Sequence, residues 1–273
     1  MVQTIPGMDM EKIRMSGQCF RLDKAGEGRY CLTAGERRVE ISREGPEEYL
    51  FSCSPGEYDS VWRPYFDADT DYSEYLSAVP ESDPYLQKAV SFGSGIKILR
   101  QDPWEMLVTF IISQRKNIPA IKRSVETLAA LFGRPIPGAP EGAFAFPSAE
   151  VLAAQSIDTL APCSLGYRAP YVLAAARMAA GGQIDLAGLK SAGDEELFSA
   201  LLTVPGVGAK VALCVMLFGY HRLDAFPRDT WINRTIDCQY GGCFEEERYK
   251  GFRGVIQQYM FYYARTIKNK TYI

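Results

Sequence analysis

The sequence predicts an α+β protein: an antiparallel β domain with a connector at residues 1–80, followed by a mainly α-helical body at 81–273. Three observations carry this. Short β-prone runs separated by Gly and Pro occupy the first fifty or so positions. From about Val61 the chain turns aromatic and then takes up helical spacing. Near the end, Phe252, Val255, Ile256, Tyr259, Met260 and Tyr263 repeat with a helical period.

Candidate strands are Cys19–Leu22, Tyr30–Thr33, Arg38–Ile41 and Tyr49–Phe51, with Gly26, Gly28, Gly35, Gly45 and Pro46 among the breakers. Trp62, Tyr65, Phe66, Tyr72, Tyr75 and Leu76 then suggest a connector that packs onto the helical body. Asp102-Pro103 is a helix start, the aspartate as cap and the proline in the first turn. Trp104 to Ile112 is mostly apolar, which predicts a central, buried helix. A polar stretch, Ser113 to Asn117, leads into a helix marked by Ile118, Ile121, Val125, Leu128 and Phe132, with Gly133 at its end. Residues 134–147 read as a loop, and helices follow near 148–156, 168–180 and 194–202. In the last helix Phe261 falls off the apolar stripe, with Gln257 one turn before it. That pair is either a second contact surface, such as a base pocket, or an aromatic covered by a neighbouring domain.

Composition narrows the functional classes. No apolar run is long enough to span a bilayer, and Met1 begins no signal-peptide pattern. Seven scattered cysteines without a C-x-x-C pair indicate reduced thiols in a cytosolic protein, and argue against a zinc site or a four-cysteine iron–sulfur cluster. A single histidine, His221, argues against His-rich metal sites and a Ser-His-Asp triad, and its polar turn predicts a solvated ring. Net charge is −3, yet the charges are segregated. Twelve acids between Glu40 and Tyr85 face only Arg43 and Arg63. Basic residues gather at Arg115, Lys116, Lys122 and Arg123, and again at Arg248, Lys250, Arg253, Arg265, Lys268 and Lys270. Such asymmetry can steer a polyanion to one face of an acidic protein.

The stretch Thr203 to Asp229 holds the chemistry. Pro205-Gly206-Val207-Gly208 predicts a tight hairpin in which both glycines free the backbone for positive φ. A helix follows from about Ala209 to Phe218, with Gly219 as its stop. Lys210 is the sole charged residue between Thr203 and Tyr220. Burial in so apolar a run, together with the positive end of the helix dipole, would lower its pKa and make it a nucleophile. The residues alone leave a second reading, in which Lys210 snorkels to solvent and pairs with a phosphate or carboxylate.

V-P-G-V-G-x-K-V-A followed by Pro227-Arg228-Asp229 resembles the lysine-bearing branch of the helix-hairpin-helix Gly/Pro-Asp DNA glycosylases. Further stretches resemble the 8-oxoguanine DNA glycosylase family in particular: Ser16 to Arg21, Tyr65 to Asp67, Leu99 to Pro103, Leu165 to Ala169, and Gln257 with Phe261. They span nearly the whole chain and come in the family's order. The resemblance implies an antiparallel β domain followed by two helical subdomains, with the active-site cleft between the latter. It also implies base flipping, a lysine Schiff base and β-elimination on duplex DNA containing 8-oxoguanine. Such a protein would be a cytoplasmic, nucleoid-associated prokaryotic monomer without membrane contact or cofactor.

On the same resemblance Lys210 is the nucleophile and Asp229 its acidic partner, capping the helix that begins at Thr230. Gly17 would offer its carbonyl to N7–H of the lesion, a proton that guanine lacks. Cys214 and Phe261 would sandwich the base, and Gln257 would bond its Watson–Crick edge. Arg115 would fill the gap in the stack, Tyr167 would wedge near the opposite base and Arg168 would contact it, with Asn117, Gly206 and Gly208 also on the DNA side. Carbonyls of Leu202, Val204 and Val207 form a candidate cation site, though no metal is required. Vertebrate members place asparagine at the position of Arg115, arginine at Ala120 and histidine at Trp231, so strict cytosine preference is not expected. The rival functions are excision of another damaged purine, such as an alkylated one, and non-catalytic binding of branched or damaged DNA.

Overall fold

In the computed structural model, residues 1–271 are described, with side chains through 267. Strands β1 (Val2–Thr4), β2 (Leu22–Gly26), β3 (Arg29–Ala34), β4 (Arg37–Arg43) and β5 (Glu48–Phe51) form one sheet in the order β1-β5-β4-β3-β2. The antiparallel register sets Val2 opposite Leu50, Ile41 opposite Phe51 and Leu22 opposite Leu32. Alternation in β5 turns Tyr49 and Phe51 inward and leaves Glu48 and Leu50 outside. The first expected strand lies further along: β2 runs from Leu22 to Gly26, and Cys19 to Arg21 lead into it as buried chain, with Arg21 O accepting from Thr33 N at 3.1 Å. β1 escapes sequence reading because three residues cannot establish a period of two.

The principal helices, in chain order, are α1 (Met10–Met15), α2 (Pro84–Gly93), α3 (Pro103–Ser113), α4 (Ile118–Phe132), α5 (Ala169–Ala180), α6 (Asp194–Leu202), α7 (Ala209–Gly219), α8 (Thr230–Tyr240) and α9 (Arg253–Thr271). α2 was not expected, although Asp83-Pro84 carries the same start signal as Asp102-Pro103. Asp83 accepts from Leu86 N at 2.8 Å, and Asp102 from Glu105 N at 2.8 Å.

The chain packs as two units. One comprises Met1–Cys19, Ile41–Arg100 and the chain from His221 onward; the other comprises Phe20–Glu40 and Gln101–Tyr220. In the first, Phe51 meets Tyr58 and Phe66 edge to face, with ring centroids 5.0 and 5.8 Å apart. Gly93 lets α2 and α9 close together, since a Cβ there would lie 2.6 Å from the Tyr259 ring. Asp67 accepts from the Tyr72 hydroxyl at 2.9 Å and Arg100 Nη2 at 2.8 Å, and His221 Nε2 is 3.4 Å away. Burial pushes the Asp67 carboxyl up, but His221 and Arg100 outweigh it and hold the group well below the usual carboxylate range. His221 is therefore an internal ligand of Asp67 and not the solvated ring its polar neighbours suggest. It also takes the left-handed turn after α7, at φ +54°.

In the second unit α3 and α7 are central, with Phe110 stacked on Phe218 at 5.5 Å. Gly219, expected as a stop, is still helical. A Cβ on it would lie 3.1 Å from the Pro103 backbone, so close approach to α3 is what requires glycine there. Asn117 caps α4 through Ala120 N at 2.9 Å, and Glu105 is buried on α3.

Candidate active site

The hairpin between α6 and α7 closes with Val207 N donating to Val204 O at 3.0 Å. Gly206 has φ +81°, and a Cβ there would meet the Tyr171 ring at 2.4 Å, so both conformation and space demand glycine. Gly208 differs from expectation. Its φ of −99° is open to any residue, but a Cβ would meet nothing within 4 Å. It forms the N-terminus of α7, where no side chain caps the helix, leaving first-turn N–H groups for an anion.

Lys210 lies in that first turn and is half-buried, between the buried and the snorkelling amine that the sequence left open. Position explains this: Gly208 and Ala209 beside it are exposed, and the helix enters the core only from Val211. Its Nζ sits 5.4 Å from the centroid of the Phe110 ring, above the aromatic pair that Phe110 makes with Phe218. Cys214, one turn on, is buried on the same helix.

Gln114, which sequence reading passed over, ties three surface elements together. Its side-chain Nε2 donates to Gly206 O in the hairpin at 3.0 Å, and its own carbonyl accepts from Arg168 Nε at 2.7 Å. The Tyr167 hydroxyl reaches the same carbonyl at 3.4 Å. Arg115 follows, exposed and at φ +51°, a strained geometry for a non-glycine residue. Tyr167 is 52% exposed whereas Arg168 is only 7% exposed, its guanidinium 4.3 Å from the Tyr167 ring and also bonded to Leu165 O. Tyr167 is thus the side chain offered outward, and Arg168 braces it from beneath. Asn117 uses its side-chain oxygen in the α4 cap.

The other unit holds the remaining expected residues. Gly17, at φ +79°, follows α1, and among the described residues no donor meets its carbonyl. Gln18 fixes the turn from below, donating to Lys97 O at 2.9 Å and accepting from Leu99 N at 2.9 Å. Gln257 is buried, contrary to the expectation that it lies off the core face, because α9 is enclosed on all sides from Gly254 to Met260. Its Nε2 donates to Pro227 O at 3.0 Å, and its Oε1 is buried without a partner among the described residues. Phe261 is half-buried one turn later, with the Arg265 guanidinium 5.4 Å from its ring. Asp229 caps α8 as the sequence indicates, accepting from Ile232 N at 2.9 Å.

The basic clusters are less available than their sequence suggests. Lys116 is drawn inward to Ser124 Oγ at 2.6 Å and Ser164 O at 2.7 Å, and Lys122 pairs with Asp23. Arg253 pairs with Asp224 at 2.7 Å. Arg115, Arg123, Arg248 and Lys250 stay exposed, while the Lys268 and Lys270 side chains lie outside the described residues. Of Leu202, Val204 and Val207, whose carbonyls are the candidate cation ligands, Val204 already accepts from Val207 N at 3.0 Å. No cluster of three or more His, Cys, Asp or Glu side chains that could hold a metal occurs among the described residues, nor is any described helix long and apolar enough to cross a membrane.

A family model described as 8-oxoguanine DNA glycosylase, N-terminal domain, matches residues 3–107. The solved structure of MBOgg1 with a low-affinity DNA ligand has a TM-score of 0.90 and 35% identity, covering 98% of this chain and 96% of that one. The Clostridium acetobutylicum 8-oxoguanine glycosylase/lyase, bound to double-stranded DNA containing cytosine opposite 8-oxoG, has a TM-score of 0.88 and 31% identity over 98% of both chains. The N-glycosylase/DNA lyase OGG1 of Arabidopsis thaliana is 30% identical over 227 residues, 80% of this chain but 62% of its own length, so this chain spans less than two thirds of that relative. Near-complete coverage of both chains at 35% and 31% identity is more than shared architecture produces: the protein belongs to the 8-oxoguanine DNA glycosylase family.

Proposed function

We propose that the protein excises 8-oxoguanine from duplex DNA and then cleaves the strand as an abasic-site lyase. The observation that carries this is Lys210, a lone amine in the first turn after a phosphate-ready hairpin, half-open to solvent and set over an aromatic ring. The family relatives named as glycosylase/lyases support it. In this reading the helical body comprises two subdomains, which is consistent with helices being present in each unit.

The lesion is extruded from the stack, at a cost of a few kcal/mol. Lys210, as the free amine, attacks C1′; the glycosidic bond breaks and its electron pair leaves with the base. The sugar ring opens to a Schiff base on Nζ. Loss of a C2′ proton then expels the 3′ phosphate oxygen, cutting the strand, and water hydrolyses the imine to release Lys210. Asp229 is assigned the stabilisation of positive charge developing on the sugar and help in placing or deprotonating the amine.

Base selection is assigned to three groups. The Gly17 carbonyl, without a donor among the described residues, accepts from N7–H of 8-oxoguanine and repels the N7 lone pair of guanine. The Gln257 Oε1, likewise unpartnered, accepts from the N–H groups of the Watson–Crick edge. Phe261 and Cys214 stack on the base. Tyr167 wedges into the duplex and Arg115 takes the vacated position. For Arg168 to read the opposite base, it would have to release the Gln114 carbonyl.

The test is incubation of matched duplexes containing 8-oxoguanine or guanine. Free 8-oxoguanine and a strand ending in the unsaturated aldehyde of β-elimination are expected from the first duplex alone. Tight binding that leaves both duplexes intact would select the non-catalytic reading, and cleavage only of alkylated purines would select the other.

A further inference from the structure

α9 does more than carry Gln257 and Phe261. Two of its side chains reach back to the turn that ends α1 and take consecutive carbonyls there. Gln258 Nε2 donates to Ser16 O at 2.7 Å, and Arg265 Nη2 donates to Met15 O. Gln258 is 2% exposed and Ser16 0%, so the bond is shielded from water. The third carbonyl in the series, that of Gly17, is the one left without a donor among the described residues.

At φ +79° Gly17 has no side chain to fix its peptide plane, and Gly is the residue freest to rotate that plane. The plane is defined instead by what holds its neighbours: the Gln18 amide on one side, and Gln258 on the other. A hydrogen bond to N7–H and repulsion of an N7 lone pair both depend steeply on where the carbonyl points.

We propose that Gln258 is a positioning residue for lesion recognition: by holding the Ser16 carbonyl it aims the Gly17 carbonyl at N7 of the flipped base. Sequence reading overlooked it because adjacent residues of a helix face about 100° apart, and Gln257 alone matched the base-pocket pattern. The inference rests on the proposed function and names a specificity determinant within it.

The experiment measures binding of three otherwise identical duplexes, carrying 8-oxoguanine, guanine or an abasic-site analogue, to a Lys210→Gln parent and to the same protein with Gln258→Met. Methionine keeps the length of the side chain and removes the donor. The 8-oxoguanine-to-guanine affinity ratio should fall about tenfold, while affinity for the abasic duplex, which has no base to read, stays within twofold. Gln258→Glu keeps the shape and sets an acceptor against the Ser16 carbonyl; it serves if the methionine variant fails to fold, with the same loss expected. An unchanged ratio, or equal losses on all three duplexes, overturns the positioning role. A parent that binds the 8-oxoguanine and guanine duplexes alike refutes the function itself, and with it any aim for Gln258 to set.

Discussion

Gln257 engages one half of its amide and leaves the other open. The Pro227 carbonyl can only accept, so Nε2 must face it and Oε1 must face away. A buried carbonyl oxygen without a donor is unfavourable by about 1–3 kcal/mol, and a bound base with N–H groups would relieve that cost. Phe261, half-buried beside it, offers stacking area of a kind worth roughly 1–3 kcal/mol per base. Replacing Phe261 with alanine should therefore weaken binding of an 8-oxoguanine duplex about tenfold or more and leave undamaged duplex nearly unaffected; equal losses in a titration of both would remove Phe261 from the pocket. Position 120 makes a second residue-level prediction. Ala120 has no donor with which to read an opposite base, so excision rates opposite C and opposite A should differ by less than about tenfold. Single-turnover kinetics on the two duplexes decide it, and a preference of several hundredfold would contradict it. At this scale the sequence was legible where a local backbone rule places a residue, as with the Asp229 cap and the Gly206 turn. It was silent on Gln18, Gln114 and Gln258, whose roles depend on distant carbonyls that no spacing announces.

The hairpin shows how one element assigns different work to two similar glycines. Gly206 is required by the fold: alanine there would be strained at φ +81° and would clash with the Tyr171 ring, costing on the order of 3 kcal/mol together. Gly208 is not so required. With φ −99° and open space around the missing Cβ, alanine should change stability by less than about 1 kcal/mol. It would nevertheless stand over the uncapped start of α7 and impede a phosphate. Urea titrations paired with DNA binding should therefore separate the two: Gly206→Ala unstable, Gly208→Ala stable but weakened on duplex DNA of any sequence. A destabilised Gly208→Ala protein would show that its role is structural. Helices whose caps and period agree, such as α3 and α4, were foreseeable from sequence, as were the later strands. β1 and the shift of β2 were not, because pairing partners override local pattern.

For the molecule as a whole, charge is organised more tightly than composition suggests. Lys116 is turned inward, Lys122 is paired with Asp23, and the lone histidine is bound to Asp67. Glu105 adds a pH dependence. Burial pushes its carboxyl up to about 7, with Arg21 partly opposing the rise, from an ordinary value of 4.5. Between those values the unfolded chain has released the proton and the folded one still holds it. This group's contribution to stability therefore falls as pH rises, by about 1.4 kcal/mol per pH unit. Glu105→Gln should flatten that slope in denaturant titrations between pH 5 and 7, and an unchanged slope would refute the assignment. The overall fold class followed from strand-then-helix order, whereas the division into two units that interleave along the chain did not, since it depends on contacts between distant segments.

Borohydride reduction of the protein on an 8-oxoguanine duplex tests the central claim most directly. The account predicts a covalent protein–DNA adduct that maps by peptide mass to Lys210 and disappears in Lys210→Gln. An adduct that survives that substitution, or one that maps to another amine, would contradict it.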